Sequence, residues 1–264
     1  MSLQRNAKKA AYVIVPILLL VGLFAVPATL RQLNSPNTLP QITPTPYLPI
    51  DVEEVSVIPH PVLPTSDKRT FDIVAKVHNP NPRAGLASYT LRFVLLDTTE
   101  KEITTVEKEA YVLPGSVQYV TVLNVSFPRE RQLGRVQIDR PTEEVFVRLP
   151  ETVDLPSFSL FLQERQERQT GGTPVIVQGG IVRNTGTFDW QRVEVRAVAL
   201  DSSGGVIGVG ETFVGRLLVG EQREFALEWP KGTETIQQVI AVPSTNIFKE
   251  ENVVEIIGDP ARLR

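Results

Sequence analysis

The chain contains no cysteine. That excludes disulfide staples, thiolate metal sites, a Cys nucleophile and a lipid joined through Cys, so the protein must hold its shape by packing alone. Histidine is nearly as scarce: His60 and His78 are the only two. His60 lies between Pro59 and Pro61, and His78 precedes Asn79-Pro80. Each reads as a solvated turn residue, and two distant histidines without cysteine make no zinc-type ligand cluster. An excess of one charge is missing too. Lys and Arg number 27 against 30 Asp and Glu, a net charge of −3. No basic block offers itself to nucleic acid or to an anionic lipid surface. After residue 31 no stretch keeps a convincing 3.6-residue period, so helices are not expected there.

What is present begins with one long apolar run, Ala10 to Leu30, 21 residues without a charge. A bilayer core about 30 Å thick takes roughly 20 apolar residues of helix to cross. Arg5, Lys8 and Lys9 precede the run. After it comes Arg31 and then no Lys or Arg until Lys68, while Asp51, Glu53 and Glu54 are acidic. Basic flanks stay cytoplasmic. The expected topology is a cytoplasmic tail at 1–9, a transmembrane helix at 10–30 in contact with lipid, and everything later outside the cell membrane. Pro16 and Pro27 are tolerated in such a helix. The same residues also fit a cleaved signal peptide, with Val26-Pro27-Ala28 near the cut, which would secrete the remainder.

Residues 31–50 carry Pro36, Pro40, Pro44, Pro46 and Pro49 among Thr, Asn, Gln and Ser. Prolines at this density forbid helix and interrupt strand ladders. The segment reads as a linker, extended at about 3.1 Å per residue, which is up to ~60 Å over its length. It is either a spacer that lifts the later domains off the membrane or a plain connection with no length requirement.

The rest contains a unit of about 100 residues used twice. Val77-His78-Asn79-Pro80 matches Val182-Arg183-Asn184-Thr185. Arg92 to Asp97 matches Arg196 to Asp201, Leu113-Pro114-Gly115 matches Leu218-Val219-Gly220, and Phe127-Pro128 matches Trp229-Pro230. The offsets stay within 102–105 residues. Each copy alternates with period two, as Phe71, Ile73, Ala75 and Val77 do, or Tyr89, Leu91, Phe93 and Leu95, or Val193, Val195, Ala197 and Ala199. Turn formers punctuate the alternation: Asn79 to Pro82, Pro114-Gly115, Asp201 to Gly205 and Val219-Gly220-Glu221. Strands are expected near 52–58, 69–78, 87–97, 102–112, 117–127, 133–139 and 143–149. In the second copy they fall near 157–165, 173–184, 189–201, 205–214, 222–229 and 235–242. A last edge strand is expected at 253–257. The fold class is all-β: two tandem immunoglobulin-like antiparallel sandwiches, at 51–149 and 150–258, joined through Pro150 to Pro156.

The run Phe93-Val94-Leu95-Leu96-Asp97 resembles the Phe-x-Leu-Tyr-Asp signature of FxLYD domains, with Leu96 where the family has Tyr. Val77-His78-Asn79 and Leu113-Pro114-Gly115 look like that family's other landmarks. The second copy keeps Asn184, Leu200, Asp201 and Gly220 but has Ala197 and Ala199 within the signature. The resemblance covers most of 51–243. It implies an immunoglobulin-like sandwich of prokaryotic envelope proteins and no catalytic residues.

No motif calls for a cofactor or a metal. Asp97 and Asp201 end equivalent strands and read as caps of their own turns, since the following loops lack the alternating carboxylates of a calcium loop. Gly179-Gly180 and Gly204-Gly205 lie between strands, with no helix to hold a phosphate. No Ser, His and Asp combine into a triad pattern. Glu53-Glu54 and Glu143-Glu144 point to opposite strand faces, a poor arrangement for acid–base work. Asn124-Val125-Ser126, a glycosylation triplet, falls inside an expected strand. The charged run Glu164 to Gln169 reads as a solvated edge that blocks strand pairing, or else as a recognition ridge. Phe188, Trp190 and Arg192 form the one candidate partner-binding group, because Trp and Arg recur in binding hot spots; packing over a sandwich end is the other reading of Trp190. The expected function is non-enzymatic: a membrane-anchored, extracytoplasmic scaffold for a protein or cell-envelope partner. The alternative is an accessory subunit that positions an enzyme or transport complex in the same membrane.

Overall fold

A computed structural model of the protein describes residues 46–62, 64–140 and 143–254. The run 10–30, the tail before it, most of the 31–50 linker and the segment after Val254 lie outside those residues. Among the described residues no helix is long and apolar enough to cross a membrane. The chain divides into two compact units, Met1–Pro46 and Tyr47–Arg264, and the second carries every described strand.

That unit is nearly all β. Its strands are β1 (Asp51–Pro59), β2 (Lys68–His78), β3 (Ala84–Asp97), β4 (Glu102–Val112), β5 (Val117–Pro128), β6 (Leu133–Asp139) and β7 (Phe146–Arg148). They continue with β8 (Phe158–Thr170), β9 (Thr173–Asn184), β10 (Trp190–Leu200), β11 (Val206–Leu217), β12 (Gln222–Pro230) and β13 (Gln238–Ser244). A single 3-10 turn at Glu250–Asn252 is the only helical element among the described residues. All named pairings are antiparallel.

The internal repeat returns in its strand order, with β7 alone lacking a counterpart among the described residues. In the first half one sheet runs β1-β2-β5 and the other β4-β3-β6, with β7 also paired to β3. In the second half the sheets run β8-β9-β12 and β11-β10-β13. Period-two alternation sends Ile73, Ala75 and Val77 of β2 and Leu91, Phe93 and Leu95 of β3 into one core. Val193, Val195, Ala197 and Ala199 of β10 enter the other, facing Phe225, Leu227 and Trp229 of β12. The two cores are filled differently. Phe71 stacks on Phe127 in the first, ring centroids 5.1 Å apart. In the second, Ala197 and Ala199 replace Phe93 and Leu95, and Trp229 replaces Phe127. The indole takes the space these alanines leave, and Gly208 admits it: a Cβ there would lie 2.7 Å from the ring. At these three positions the second core holds one large ring where the first holds two rings and a leucine.

Two buried asparagines close the same corner of each half. Asn79 Nδ2 donates to Ala84 O and Leu113 O at 2.7 and 2.9 Å, and its Oδ1 accepts from Asn81 N at 2.9 Å. Asn184 Nδ2 donates to Phe188 O and Leu217 O at 2.7 and 3.1 Å, and its Oδ1 accepts from Gly186 N at 3.0 Å. Each amide thereby satisfies three backbone groups where strands diverge into turns.

A third apolar cluster lies on the opposite faces of the central strands. Ile58, Val74, Val198 and Val209 are buried there, with Tyr119, Leu123, Leu200, Val206 and Ile240 packed around them. It joins sheet β1-β2-β5 to sheet β11-β10-β13, so the halves lie side by side within one body.

The outlying strands differ from expectation in instructive ways. β8 continues to Thr170 because the Gly171-Gly172 turn folds it back on β9 as a long hairpin, Thr170 facing Thr173. The strand expected at 143–149 shortens to Phe146–Arg148. Of the edge strand expected at 253–257, Val253 is described and bridges to Trp190, with Val254 N donating to Asp189 O at 2.9 Å; residues 255–257 lie outside the described residues.

Candidate functional site

The structure keeps Phe188 against Trp190 and sets Arg192 on another face. Trp190 is 3% exposed and belongs to the second core. Phe188 stands outside it at 40% exposure, its ring 5.9 Å from the indole and tilted by 55°. Arg192 is on the face of β10 away from that core. Its guanidinium lies 3.8 Å from the ring centre of the exposed Phe213 on β11, a cation–π geometry, and its Nε is 3.4 Å from Glu194 Oε1.

Arg192 borders a cleft of about 430 Å³ between the two halves, lined also by Glu109, Tyr111, Glu194, Lys249 and Asn252. Beside the cleft a chain of polar groups crosses from one half to the other. The Tyr111 hydroxyl, at the end of β4, is 2.9 Å from Ser244 Oγ and donates to Glu194 Oε2 at 3.3 Å. Arg196 donates to Glu194, and its Nε is 3.6 Å from Glu211 Oε2. Glu211 accepts from the Thr121 hydroxyl and from Lys108 Nζ at 3.2 Å.

The electrostatics follow from this packing. Burial, reinforced by the Glu194 carboxylate, pushes the Tyr111 hydroxyl well above the usual phenol range. Burial opposes charge on Glu211, yet the Thr121 hydroxyl and the Lys108 ammonium hold its carboxyl below the ordinary value. Burial likewise opposes charge on Arg196, and only the Glu194 carboxylate, Tyr111 and the Glu211 carboxylate together outweigh it and raise the guanidinium's pKa. Each group thus stabilises a neighbour's charged or hydrogen-bonding form. The arrangement fastens two surfaces together. Sequence reasoning missed these residues because the bonds that cross between the halves join positions 83 to 133 apart.

Other groups singled out from the sequence resolve into structural roles. Asp97 Oδ1 accepts from Thr99 N and Lys101 N, and Asp201 Oδ1 from Ser203 N and Gly205 N. Each caps its own turn as expected. His60, expected as a solvated turn residue, instead has only 13% of its side chain exposed. Its Nε2 lies 2.9 Å from buried Asp72 Oδ2, because His60 N donates to Thr70 O and closes the β1–β2 ladder. Among the described residues no three His, Asp or Glu converge to hold a metal. The charged run 164–169 is exposed on edge strand β8, with Glu167 2.6 Å from Lys231 and Arg168 3.4 Å from Glu228.

No protein-family model matches the chain, and no curated protein sequence matches it either.

Proposed function

We propose that this chain is a membrane-anchored, extracytoplasmic scaffold that presents two immunoglobulin-like sandwiches of FxLYD type to a protein or envelope partner. The observation that carries the reading is the polar and apolar clamp between the halves. Val74, Val198 and Val209 are buried across that interface, and Tyr111 and Glu211 bridge it. A scaffold works by holding surfaces at fixed separation, and this body has a device for doing so. The uncharged run 10–30, with Arg5, Lys8 and Lys9 before it, supports anchoring with the N-terminus inside. Recognition would use side-chain complementarity, or addition of a strand to an open sheet edge.

Affinity purification of the full chain from native membranes in mild detergent tests the proposal. Co-purification of a defined protein set at fixed stoichiometry is the expected result. A chain that elutes alone and processes substrate by itself, with one point substitution abolishing the activity, would sink it. The accessory-subunit alternative is recognised by loss of a partner enzyme's activity when this chain is deleted. A mature N-terminus at Thr29 would replace anchoring by secretion.

A further inference from the structure

The exposed apolar side chains are not spread evenly over the body. The Asn79–Arg83 turn is a hub at one end of the first half. Leu48 N donates to Asn81 Oδ1 at 2.9 Å and Asn81 Nδ2 donates to Leu48 O at 2.7 Å. Gly115 N donates to Asn81 O at 2.8 Å, and Leu149 N to Arg83 O at 2.8 Å. Around this hub Tyr47, Leu48, Val117 and Val145 stand exposed, Val145 at 76%. Tyr47 packs on Phe146, the neighbour of Val145, with ring centroids 4.9 Å apart. In the second half the turn after Asn184 carries exposed Phe188. The exposed Val219 sits on the turn bonded to it, through Gly220 N to Asn184 O at 2.9 Å.

Both hubs lie at the same end of the body. Arg83 donates to Glu151 O and Val153 O at 2.9 and 3.1 Å. Thr185 N donates to Ser157 O at 2.9 Å, and the two hydroxyls are 2.8 Å apart. The stretch from 153 to 157 that separates these attachments spans at most ~14 Å. The chain also enters the body at this end, at Tyr47, from the segment that carries the uncharged run.

We propose that this end is a membrane-facing surface, on which Tyr47, Leu48, Val117, Val145, Phe188 and Val219 settle into the headgroup layer of the bilayer that holds residues 10–30. The inference rests on the anchoring reading above and adds where the body sits. Lipid is the occupant because the tether ends at this surface. Residues 31–46 reach at most ~50 Å when extended, so the bilayer is offered to this end at a millimolar-order effective concentration and a weak patch suffices. Tyrosine and phenylalanine rings beside aliphatic groups suit the interfacial layer, which is apolar on one side and wet on the other. The linker then sets the limit of excursion instead of a fixed height.

The absence of cysteine allows a direct test. The full chain carrying V145C, or S203C in the turn after β10, is labelled with an environment-sensitive fluorophore and reconstituted in phosphatidylcholine vesicles containing headgroup-nitroxide lipid. Ser203 lies beyond the far end of β10, roughly 33 Å from the hub end at ~3.3 Å per residue. The expected result is at least a twofold quenching at position 145 and none at 203. Quenching at 145 should be lost in L48D/F188D, with the melting temperature unchanged. Protein that floats with vesicles after carbonate washing but shows equal, unquenched labels overturns the docking and leaves the anchor standing. Protein that fails to float removes the anchor, and the docking with it. Shielding of position 145 from aqueous iodide without lipid quenching marks a protein contact at this end and overturns the lipid assignment.

Discussion

Asn79 and Asn184 show what one side chain does in this fold. Each is fully buried and makes three hydrogen bonds with backbone groups of its turn and a neighbouring strand. Alanine at 184 would orphan those backbone groups in a dry environment, and each buried orphan costs about 1–3 kcal/mol. Asn184→Ala is therefore expected to lower the unfolding free energy by about 3 kcal/mol or more, read from urea denaturation. Tyr89 offers a second test. It is buried, and burial together with the Glu144 carboxylate pushes its hydroxyl up to about 12. The neutral form is the one the fold favours, so its contribution to stability is intact below the ordinary phenol value and is lost as pH rises toward about 12. An absorbance titration of phenolate should show Tyr89 ionising late, and Tyr89→Phe should remove one late component while that of Tyr111 remains.

At the scale of the element, the repeat kept its strand order while changing which strands carry its large core side chains. β10 is thinner than β3 where Ala197 and Ala199 stand, and β12 is thicker where Trp229 stands. Gly208→Val should therefore strike a rigid indole. Overpacking of this kind costs about 1–3 kcal/mol, and the corresponding fall in melting temperature checks it. How much was legible also shows at this scale. The limits of β4, β6 and β9 follow from alternation bounded by turn residues. β8 ran past its apolar residues because a hairpin to β9 satisfies its backbone whatever its side chains are. Trp190 looked like a binding residue by type, and its burial depends on the chain folding over it, with Val253 bridging to its backbone. Asp97 and Asp201 were readable as caps because their partners are two and four residues away.

At the scale of the whole molecule, the clamp between the halves should respond to acid. Glu211 faces Thr121 of β5, Lys108 of β4 and Arg196 of β10, and Arg196 in turn faces Glu194. Its carboxyl is held below the ordinary value, so its stabilisation is present above that value and is lost as pH falls through the depressed one. The urea midpoint of the native chain should thus fall on acidification more steeply than that of Glu211→Gln. Parallel curves would mean that the clamp draws nothing from this charge.

The amino-acid order alone determined most of the strands, the turns, the duplication and the one uncharged run, because each rests on local periodicity or on contacts a few residues apart. Only the tertiary structure decided that Val74 and Val198 are core residues on faces that the alternation leaves to solvent. The same holds for the joining of Tyr111 to Ser244 and for the gathering of exposed apolar groups from both halves at the end where the chain enters. Those facts depend on residues distant in sequence becoming neighbours, and no local pattern encodes which two faces will meet.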